Sequence, residues 1–433
     1  MKYSKNLLFF CLSSLFVLSI FSYLFYISTN YIVNFWTFSQ SHLNYSGGFV
    51  KRGLFGTVSI FLEDNFNIKT SLTFSYFFIF FYLLSILLYL YLIKNYISNK
   101  ILFVFLLLSP TLIIFSFNDL GGYQRFDILS IFLILFHAIL IKNYNIKKIN
   151  FKIYLKLFYF FIIPFIIVSL FIHEIQAWTI PFHFLFLKQI TDKNKYPLIK
   201  LFPSLFFCTI TVLFIFFYPV SQNTIEIMLQ KISFVDAKDL WLDAVLVAAK
   251  TGGNLGVIEH ELNTNLFNFY NFKINLFFIL LSILPFHFFI KYFFNKKMIQ
   301  IENKNTLKYM YISVLPLFLF LFPVGDTGRW INMISFISFA YFAQFRFNAN
   351  AQDNFFPKLS FKTLLPILLV IICSFFIRLP HCCNLQAKQI NIWGGLHKKF
   401  IVFYYMQDRK YDTLDYDIKD KYYDIKKRFK KLR

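Results

Sequence analysis

The sequence predicts an all-α polytopic membrane protein, and three observations lead to that prediction. Apolar residues make up 58% of the 433 residues and charged residues only 15%, against roughly 25% charged in soluble proteins. The mean hydropathy is +0.58. The apolar residues also form stretches of about 20, the length at which a helix crosses a bilayer. Such a chain is too apolar for a soluble fold and for a disordered one.

Stretches of this length predict about 11 transmembrane helices (roughly 10–12). They lie near residues 6–27, 71–93, 100–117, 126–142, 157–172, 174–187, 200–218, 273–293, 307–323, 330–346 and 362–379. Together they form one multi-span domain over residues 1–379, with long external loops at 28–70 and 220–273. Residues 380–433 follow as a basic, partly amphipathic C-terminal tail.

Lysines in the short connections set the orientation of the predicted spans. Lys2 and Lys5 precede the first span, which places the N-terminus in the cytoplasm by the positive-inside rule. The even-numbered connections then also face the cytoplasm, and they carry clusters of lysines. The formal net charge of +23 therefore reflects topology and anionic lipid, and no nucleic acid partner is predicted. The basic tail is the exception: either it is external, or the count of spans is wrong by one.

The unusual polar residues collect on the opposite, periplasmic face. The cytoplasmic connections contain only Lys, Asn and Tyr in ordinary linker mixtures. The periplasmic turns instead contain Gly47, Gly48, Lys51, Arg52, Asp119, Gln124, Arg125, Asp127, His173, Glu174, Asp326, Arg329 and Trp330. This asymmetry predicts a functional site at the periplasmic face.

Three arginines at the outer ends of different spans carry the first part of that prediction. Lys is the common basic residue of this chain, yet Arg52, Arg125 and Arg329 stand here, each with Gly within a few positions. Arginine offers a planar, permanently charged fork that binds phosphate bidentately. Lys51 adds a point charge beside Arg52. The pattern predicts an anion cradle suited to a lipid-linked diphosphate.

Ion pairing at helix ends is the simpler interpretation of the same residues. Arg125 would then pair with Asp127, and Arg329 with Asp326. The spacing of Asp119, Asp127 and Asp326 is not that of a recognised metal loop, so no metal site is predicted. In the functional interpretation, substrate and acceptor contacts come from Gly47, Gly48, Asp119, Gln124, Asp127, Asp326 and Trp330.

His173-Glu174 lies between two apolar runs with almost no loop. An ionisable pair at membrane depth is a functional hypothesis by default, because burying charge there is unfavourable. Apolar surroundings would raise the pKa of Glu174 and make it a general base. His173 would share that role or bind the acceptor. The alternative is a helix turn whose polar groups are satisfied by backbone at the interface.

The chain resembles the Wzy-type polymerases of bacterial O-antigen and capsule repeat units. The resemblance lies in the whole-chain layout of many spans, external arginines and one large late periplasmic loop. The segments Gly-Gly-Phe-Val-Lys-Arg-Gly at 47–53 and Asp-Thr-Gly-Arg-Trp at 326–330 are similar to ones found in surface-polysaccharide membrane proteins. The resemblance implies polymerisation of undecaprenyl-diphosphate-linked repeat units at the periplasmic face of the bacterial inner membrane.

Under that resemblance, Lys51, Arg52, Arg125 and Arg329 would bind the diphosphate and Glu174 would act as the base. The partners would be the undecaprenyl-diphosphate-linked glycan, membrane lipid and, in some systems, a chain-length regulator. A glycosyl diphosphate brings its own leaving group, so no cofactor is predicted.

Two other functions stay open at this point. A C-type glycosyltransferase that uses a polyprenyl-phosphate sugar would place a carboxylate in the first outer loops, where Glu63-Asp64 or Asp119 could serve. A flippase or other transporter of lipid-linked glycan would place charges at the bilayer midplane. Such mid-span charges are scarce in the sequence.

Overall fold

The computed structural model describes most of the chain's central part and two later helices. The described residues are 35–94, 103, 106–107, 109, 111–113, 115, 124–194, 197–232, 305–320 and 327–344. The elements in order are α1 (Phe35–Gln40), α2 (Gly53–Phe66), α3 (Thr70–Ile93), α4 (Asp127–Asn145), α5 (Phe151–Leu157), α6 (Ile163–Ile172), α7 (Ile180–Lys193), α8 (Phe202–Phe217), α9 (Gln222–Gln230), α10 (Asn305–Phe320) and α11 (Thr327–Ala343).

Within the described residues, four helical stretches are long and apolar enough to cross a membrane, so the protein is an α-helical membrane protein. They are Thr70–Ile93, Asp127–Asn145, Phe151–Ile172 and Ile199–Phe217. Each lies on a span predicted from the sequence, as do α7, α10 and α11. Within the described residues every regular element is helical.

Several predictions concern residues that the structure does not describe. The predicted spans at 6–27, 273–293 and 362–379 lie outside the described residues, and the span at 100–117 is described only at isolated positions. The same holds for the external loop after residue 232 and for the tail at 380–433.

Helix α4 lies at the centre of the bundle and α8 at its edge. In the most apolar 18-residue window of α4, 78% of the residues are buried. In the corresponding window of the stretch that contains α8, only 17% are buried. Helices α3, α7 and α11 all pack against α4. Helix α8 instead exposes aromatic side chains such as Phe206, Phe207 and Phe217. Since both helices are apolar all round, the difference marks α8 as the one that faces lipid.

The first predicted external loop is largely ordered structure. It contains α1 and α2, and residues 41–50 between them lie directly on α2. A Cβ atom on Gly56 would overlap the carbonyl oxygen of Leu43. The loop therefore reaches α2 at a distance that only glycine allows.

Helix α9, at the start of the second long external loop, packs against the same residues. Residues 41–50 and α9 together are called the cap below. The contact between them is both polar and apolar. Asn44 Nδ2 donates to the Met228 carbonyl at 3.2 Å. The cap has a small core of its own, formed by Leu43, Val50, Ile225, Met228 and Ile232. Parts of both predicted external loops thus form one unit beside the end of the helix bundle.

Candidate functional site

Two ion pairs join four segments of the chain at one end of the bundle. Arg52 precedes α2, and its Nε and Nη2 donate to the two carboxylate oxygens of Glu174, with 2.7 Å between Nε and Oε2. Arg329 lies in the first turn of α11 and Asp127 in the first turn of α4. Arg329 Nε and Nη2 donate to the two oxygens of Asp127, with 2.5 Å between Nη2 and Oδ1.

Arg52 is held in an unusual backbone conformation. Its φ of 61° and ψ of 12° lie in the left-handed region, which a residue other than glycine occupies at a cost of about 1–3 kcal/mol. The side-chain contacts offset this cost, because Nη1 donates to Gln40 Oε1 in addition to the two bonds to Glu174. Gln124, directly before Arg125, is also left-handed, with a φ of 55°. Both segments place an arginine at the site through a tight backbone bend.

His173 lies at the centre of this charge cluster. It ends α6 with an extended backbone, and its Nδ1 accepts a hydrogen bond from the Ile175 N–H at 3.2 Å. Nδ1 therefore carries no proton, and the neutral ring carries its proton on Nε2. Burial lowers the pKa of His173 well below 6.5, and the nearby charges of Arg52, Arg329 and Arg125 lower it further. All three predicted arginines thus lie close enough to act on one imidazole.

Lys51 is buried next to these residues, with 3% of its surface exposed. Its Nζ lies 5.4 Å from the ring centroid of Phe216. Burial lowers the pKa of Lys51, while the charge of Glu174 acts in the opposite direction. Four cations and two carboxylates of the described residues therefore lie together at this end of the bundle. The six side chains are Lys51, Arg52, Arg125, Arg329, Asp127 and Glu174.

The predicted raised pKa of Glu174 is wrong. Burial by itself would raise the pKa, as the sequence suggested, but the charge of Arg52 and its hydrogen bonds outweigh burial. The pKa of Glu174 is therefore held well below its ordinary value of 4.5. In this state Glu174 is a weak base. The sequence hypothesis of a general base at this position loses the premise on which it was based.

The simpler interpretation of the arginines, ion pairing at helix ends, is confirmed for Arg329, whose partner among the described residues is Asp127. Arg329 forms an ion pair with Asp127, 202 residues away in sequence, so this pair joins two helices. Asp326, the partner expected from the sequence, lies outside the described residues, as does Asp119. Trp330 is buried, and its ring lies 6.0 Å from Arg329 Cζ.

The glycines of the first motif have a packing function. A Cβ atom on Gly47 would overlap the carbonyl oxygen of Thr224 in α9. Gly48 has a φ of 122°, which side chains rarely adopt. We expected these glycines to let a ligand approach the backbone, but the close approach is made by α9. They shape the cap, which leads directly into Lys51 and Arg52.

Sequence reasoning did not identify Gln40 and Gln176. Gln40 contacts Arg52, and Gln176 Oε1 accepts from Ser130 Oγ at 2.5 Å. Both glutamines are buried. A polar run within an apolar segment, residues 39–42 for the first and 173–176 for the second, is the signal that could have identified them.

A second buried polar group lies further along the bundle. His137 Nδ1 is 3.1 Å from His183 Nδ1, and His137 Nε2 is 2.7 Å from the Tyr154 hydroxyl. These three side chains come from α4, α7 and α5 and are fully buried. Since the two Nδ1 atoms share one hydrogen bond, one ring donates and the other accepts.

Glu63, the candidate carboxylate of the C-type glycosyltransferase, is not part of the charge cluster. Its Oε2 accepts from the Thr70 hydroxyl at 2.8 Å and joins the end of α2 to the start of α3. Ten helical residues separate it from Gly53, about 15 Å along the axis. Asp64 beside it is exposed. In the described part of the chain, no group of three or more His, Cys, Asp or Glu side chains could hold a metal ion.

Comparison with known proteins gives no relative: no family model, no curated protein and no solved structure matches the chain.

Proposed function

We propose that the protein polymerises undecaprenyl-diphosphate-linked oligosaccharide repeat units by glycosyl transfer at the periplasmic face of the bacterial inner membrane. One observation carries the proposal: two arginine forks, with Lys51 and Arg125 beside them, lie at one end of a bundle of apolar helices. A polyprenyl diphosphate has its anionic group next to its lipid chain. The head group would meet the cluster while the chain stays along the helices.

The chemistry needs little beyond this arrangement. In the transfer, the bond between the anomeric carbon and the diphosphate oxygen breaks, and the acceptor hydroxyl oxygen forms the new bond to that carbon. Undecaprenyl diphosphate departs with the bonding electron pair, and the hydroxyl proton passes to an oxygen of the departing diphosphate. Positive groups near the departing oxygen stabilise the developing charge, which is usually the largest catalytic contribution. Lys51, Arg52, Arg125 and Arg329 would supply those groups.

His173 would act as a neutral hydrogen-bond donor in this scheme. Its Nδ1 is already occupied by the Ile175 N–H, so only the Nε2 proton is available to a ligand. Since the pKa of His173 is lowered by burial and by the arginines, the ring stays neutral at physiological pH. It would bind the acceptor, one of the two functions that the sequence suggested for it.

Lysine variants in cells test the proposal. Lys51→Ala removes a buried cation of the cluster, whereas Lys69→Ala removes an exposed lysine between α2 and α3. We expect Lys51→Ala to abolish long surface polysaccharide and leave single repeats, and Lys69→Ala to preserve normal chains. Gel analysis of the polysaccharide, with an immunoblot for protein level, gives the result. Normal long chains in Lys51→Ala would contradict the proposal.

The size of the product and the leaflet that holds the unpolymerised repeats distinguish the alternatives. A C-type glycosyltransferase would lose one sugar from every repeat. A transporter would accumulate repeats on the cytoplasmic leaflet, whereas loss of a polymerase leaves them on the outer leaflet. The buried polar group inside the bundle, His137, His183 and Tyr154, is an array of neutral hydrogen bonds. It does not supply the mid-span charge that a transporter of an anionic lipid would need.

A further inference from the structure

The two ion pairs of the site are built alike. In each, the arginine uses its Nε and Nη2 atoms, one edge of the guanidinium, on both oxygens of the carboxylate. The exposed fractions also agree, with 16% for each arginine side chain and 10% for each carboxylate. Glu174 and Asp127 therefore accept the same pair of arginine donors and have the same degree of burial, and Glu174 Oε2 lies in addition 3.8 Å from His173 Nδ1.

Arg52, held by this edge, keeps donors for a further partner. The guanidinium has five N–H groups, of which Glu174 takes two from Arg52 and Gln40 takes a third. Two N–H groups of Arg52 have no partner among the described residues. A phosphate oxygen can bind them without displacing Glu174. The carboxylate then fixes the plane of the guanidinium and does not compete with the ligand.

We propose that Glu174 and Asp127 are equivalent positioning residues, which orient Arg52 and Arg329 toward the diphosphate, and that neither carboxylate takes the proton of the acceptor. The diphosphate itself rests on the function proposed above. The equivalence of the two carboxylates rests on the geometry alone. It replaces the assignment of Glu174 as the base, because a base at Glu174 would have to do something that Asp127 does not.

Charge and surroundings agree with this assignment. Each carboxylate has a strong hydrogen-bonding partner and lies where a helical turn begins, Asp127 in α4 and Glu174 in the 3-10 turn Glu174–Thr179. The positive end of helix α4 lies next to the carboxylate of Asp127. The arginines lose few rotamers when a ligand arrives, since their planes are already fixed. Such preorganised donors bind a developing charge without rearranging.

The first measurement is the binding of inorganic pyrophosphate to the purified full-length protein in lipid nanodiscs, followed by calorimetry. Arg52→Lys and Arg329→Lys keep the charge but remove the fork. We expect each to weaken pyrophosphate binding about tenfold, the loss of one charge-assisted hydrogen bond. The control, Lys69→Ala, should bind like the wild type. Unchanged affinity in both arginine variants would overturn the proposal.

The second measurement compares Glu174→Gln with Asp127→Asn in polymerisation of a lipid-linked repeat unit. We expect the two variants to behave alike, with kcat lowered by about tenfold or less in each, and with the wild-type pH profile. A general base at Glu174 predicts a fall of about 100-fold or more in Glu174→Gln alone, together with loss of an acidic limb. That asymmetry would overturn the proposal.

A third variant protects the test against misfolding. Arg52→Glu combined with Glu174→Arg keeps the ion pair and the net charge but attaches the fork to the other backbone segment. We expect this protein to fold and to lose pyrophosphate binding. Wild-type affinity in it would show that position does not matter and would overturn the proposal. Symmetric binding results without polymerase activity would instead reject the proposed function and leave the positioning inference intact.

Discussion

The two ends of the helix bundle hold their helices together with different chemistry. At the site end, α4 and α11 are joined by the ion pair of Asp127 and Arg329. At the other end the same two helices are joined by neutral amides, since Asn145 Nδ2 donates to Gln344 Oε1 at 3.3 Å. Gln344 Nε2 in turn donates to Gln189 Oε1 of α7 at 3.1 Å.

This difference indicates that the ion pairs serve more than packing. Neutral amides join the ends of α4, α7 and α11 at that end without an ion pair between them. A buried ion pair must first be desolvated, and its net contribution to stability is often small. Lys51 and Arg125 bring two further cations to the site end. The charges at the site end are therefore better explained by an anionic ligand than by stability.

Removal of one charge should show the largest effect on stability. Arg329→Ala leaves Asp127 buried without its ion-pair partner, and we expect a loss of about 3–5 kcal/mol of unfolding free energy. Gln344→Ala at the other end removes neutral hydrogen bonds and should lose about 1–3 kcal/mol. Unfolding of the purified proteins in mixed detergent micelles, with a denaturing detergent as titrant, measures both values. Equal losses would remove the distinction between the two ends.

An apolar replacement sharpens this result. The double variant Arg329→Met with Asp127→Leu removes both charges, and we expect its stability to return to within about 1 kcal/mol of the wild type. Long surface polysaccharide should remain absent, because the fork is missing. A stable double variant with normal polysaccharide would show that the pair is a structural contact only.

The next effect concerns the cap. Gly47→Ala places a methyl group against the Thr224 carbonyl, and overpacking of this kind costs about 1–3 kcal/mol. Because the cap leads into Arg52, we also expect polysaccharide chain length to fall. Val58→Ala, on the exposed side of α2, is the matched control and should leave both properties unchanged. A full-length product in Gly47→Ala, despite lower stability, would separate the cap from the site.

The sequence predicted the described spans and the polar end of the bundle well, but not the pairing within it. Span positions follow from local apolar runs, which need no partner. The partner of Arg329 is 202 residues away and the partner of Arg52 is 122 residues away, so both depend on how helices pack. Because the partner of Glu174 is distant in sequence, the pKa of Glu174 is shifted in the opposite direction from the prediction. Gly47 was expected to contact a ligand, because nothing in the local sequence indicates that it packs against Thr224.

Acidification should also affect the two ends differently. The pKa of folded His173 lies well below the ordinary value of 6.5. Above 6.5 the ring is neutral in both the folded and unfolded states. Below 6.5 only the unfolded state takes the proton, so folding stability falls by about 1.4 kcal/mol per pH unit. Glu174 adds nothing in this window, since its ordinary and folded pKa values both lie at or below 4.5.

Unfolding at pH 7.5 and pH 5.5 measures this contribution. We expect His173→Gln to lose less stability than the wild type on this change, by about 1.4 kcal/mol. Gln344→Ala should keep the full pH dependence, because amides do not titrate. The same pH dependence in His173→Gln as in the wild type would contradict the neutral, buried state of His173.

The smallest effect is expected at a lysine–aromatic contact away from the site, between Lys94 and Tyr91. A variant there tests whether function depends on the site end alone. Lys94 Nζ lies 3.9 Å from the ring centroid of Tyr91 and is exposed, whereas the buried Lys51 lies at the site. An exposed cation–π contact contributes about 0.5–1 kcal/mol, so Lys94→Ala should lose no more than that and keep full-length surface polysaccharide. Both lysines contact an aromatic ring, and only the location differs. Loss of long chains in Lys94→Ala, at normal protein level, would mean that the end of the bundle opposite the site also takes part in the reaction.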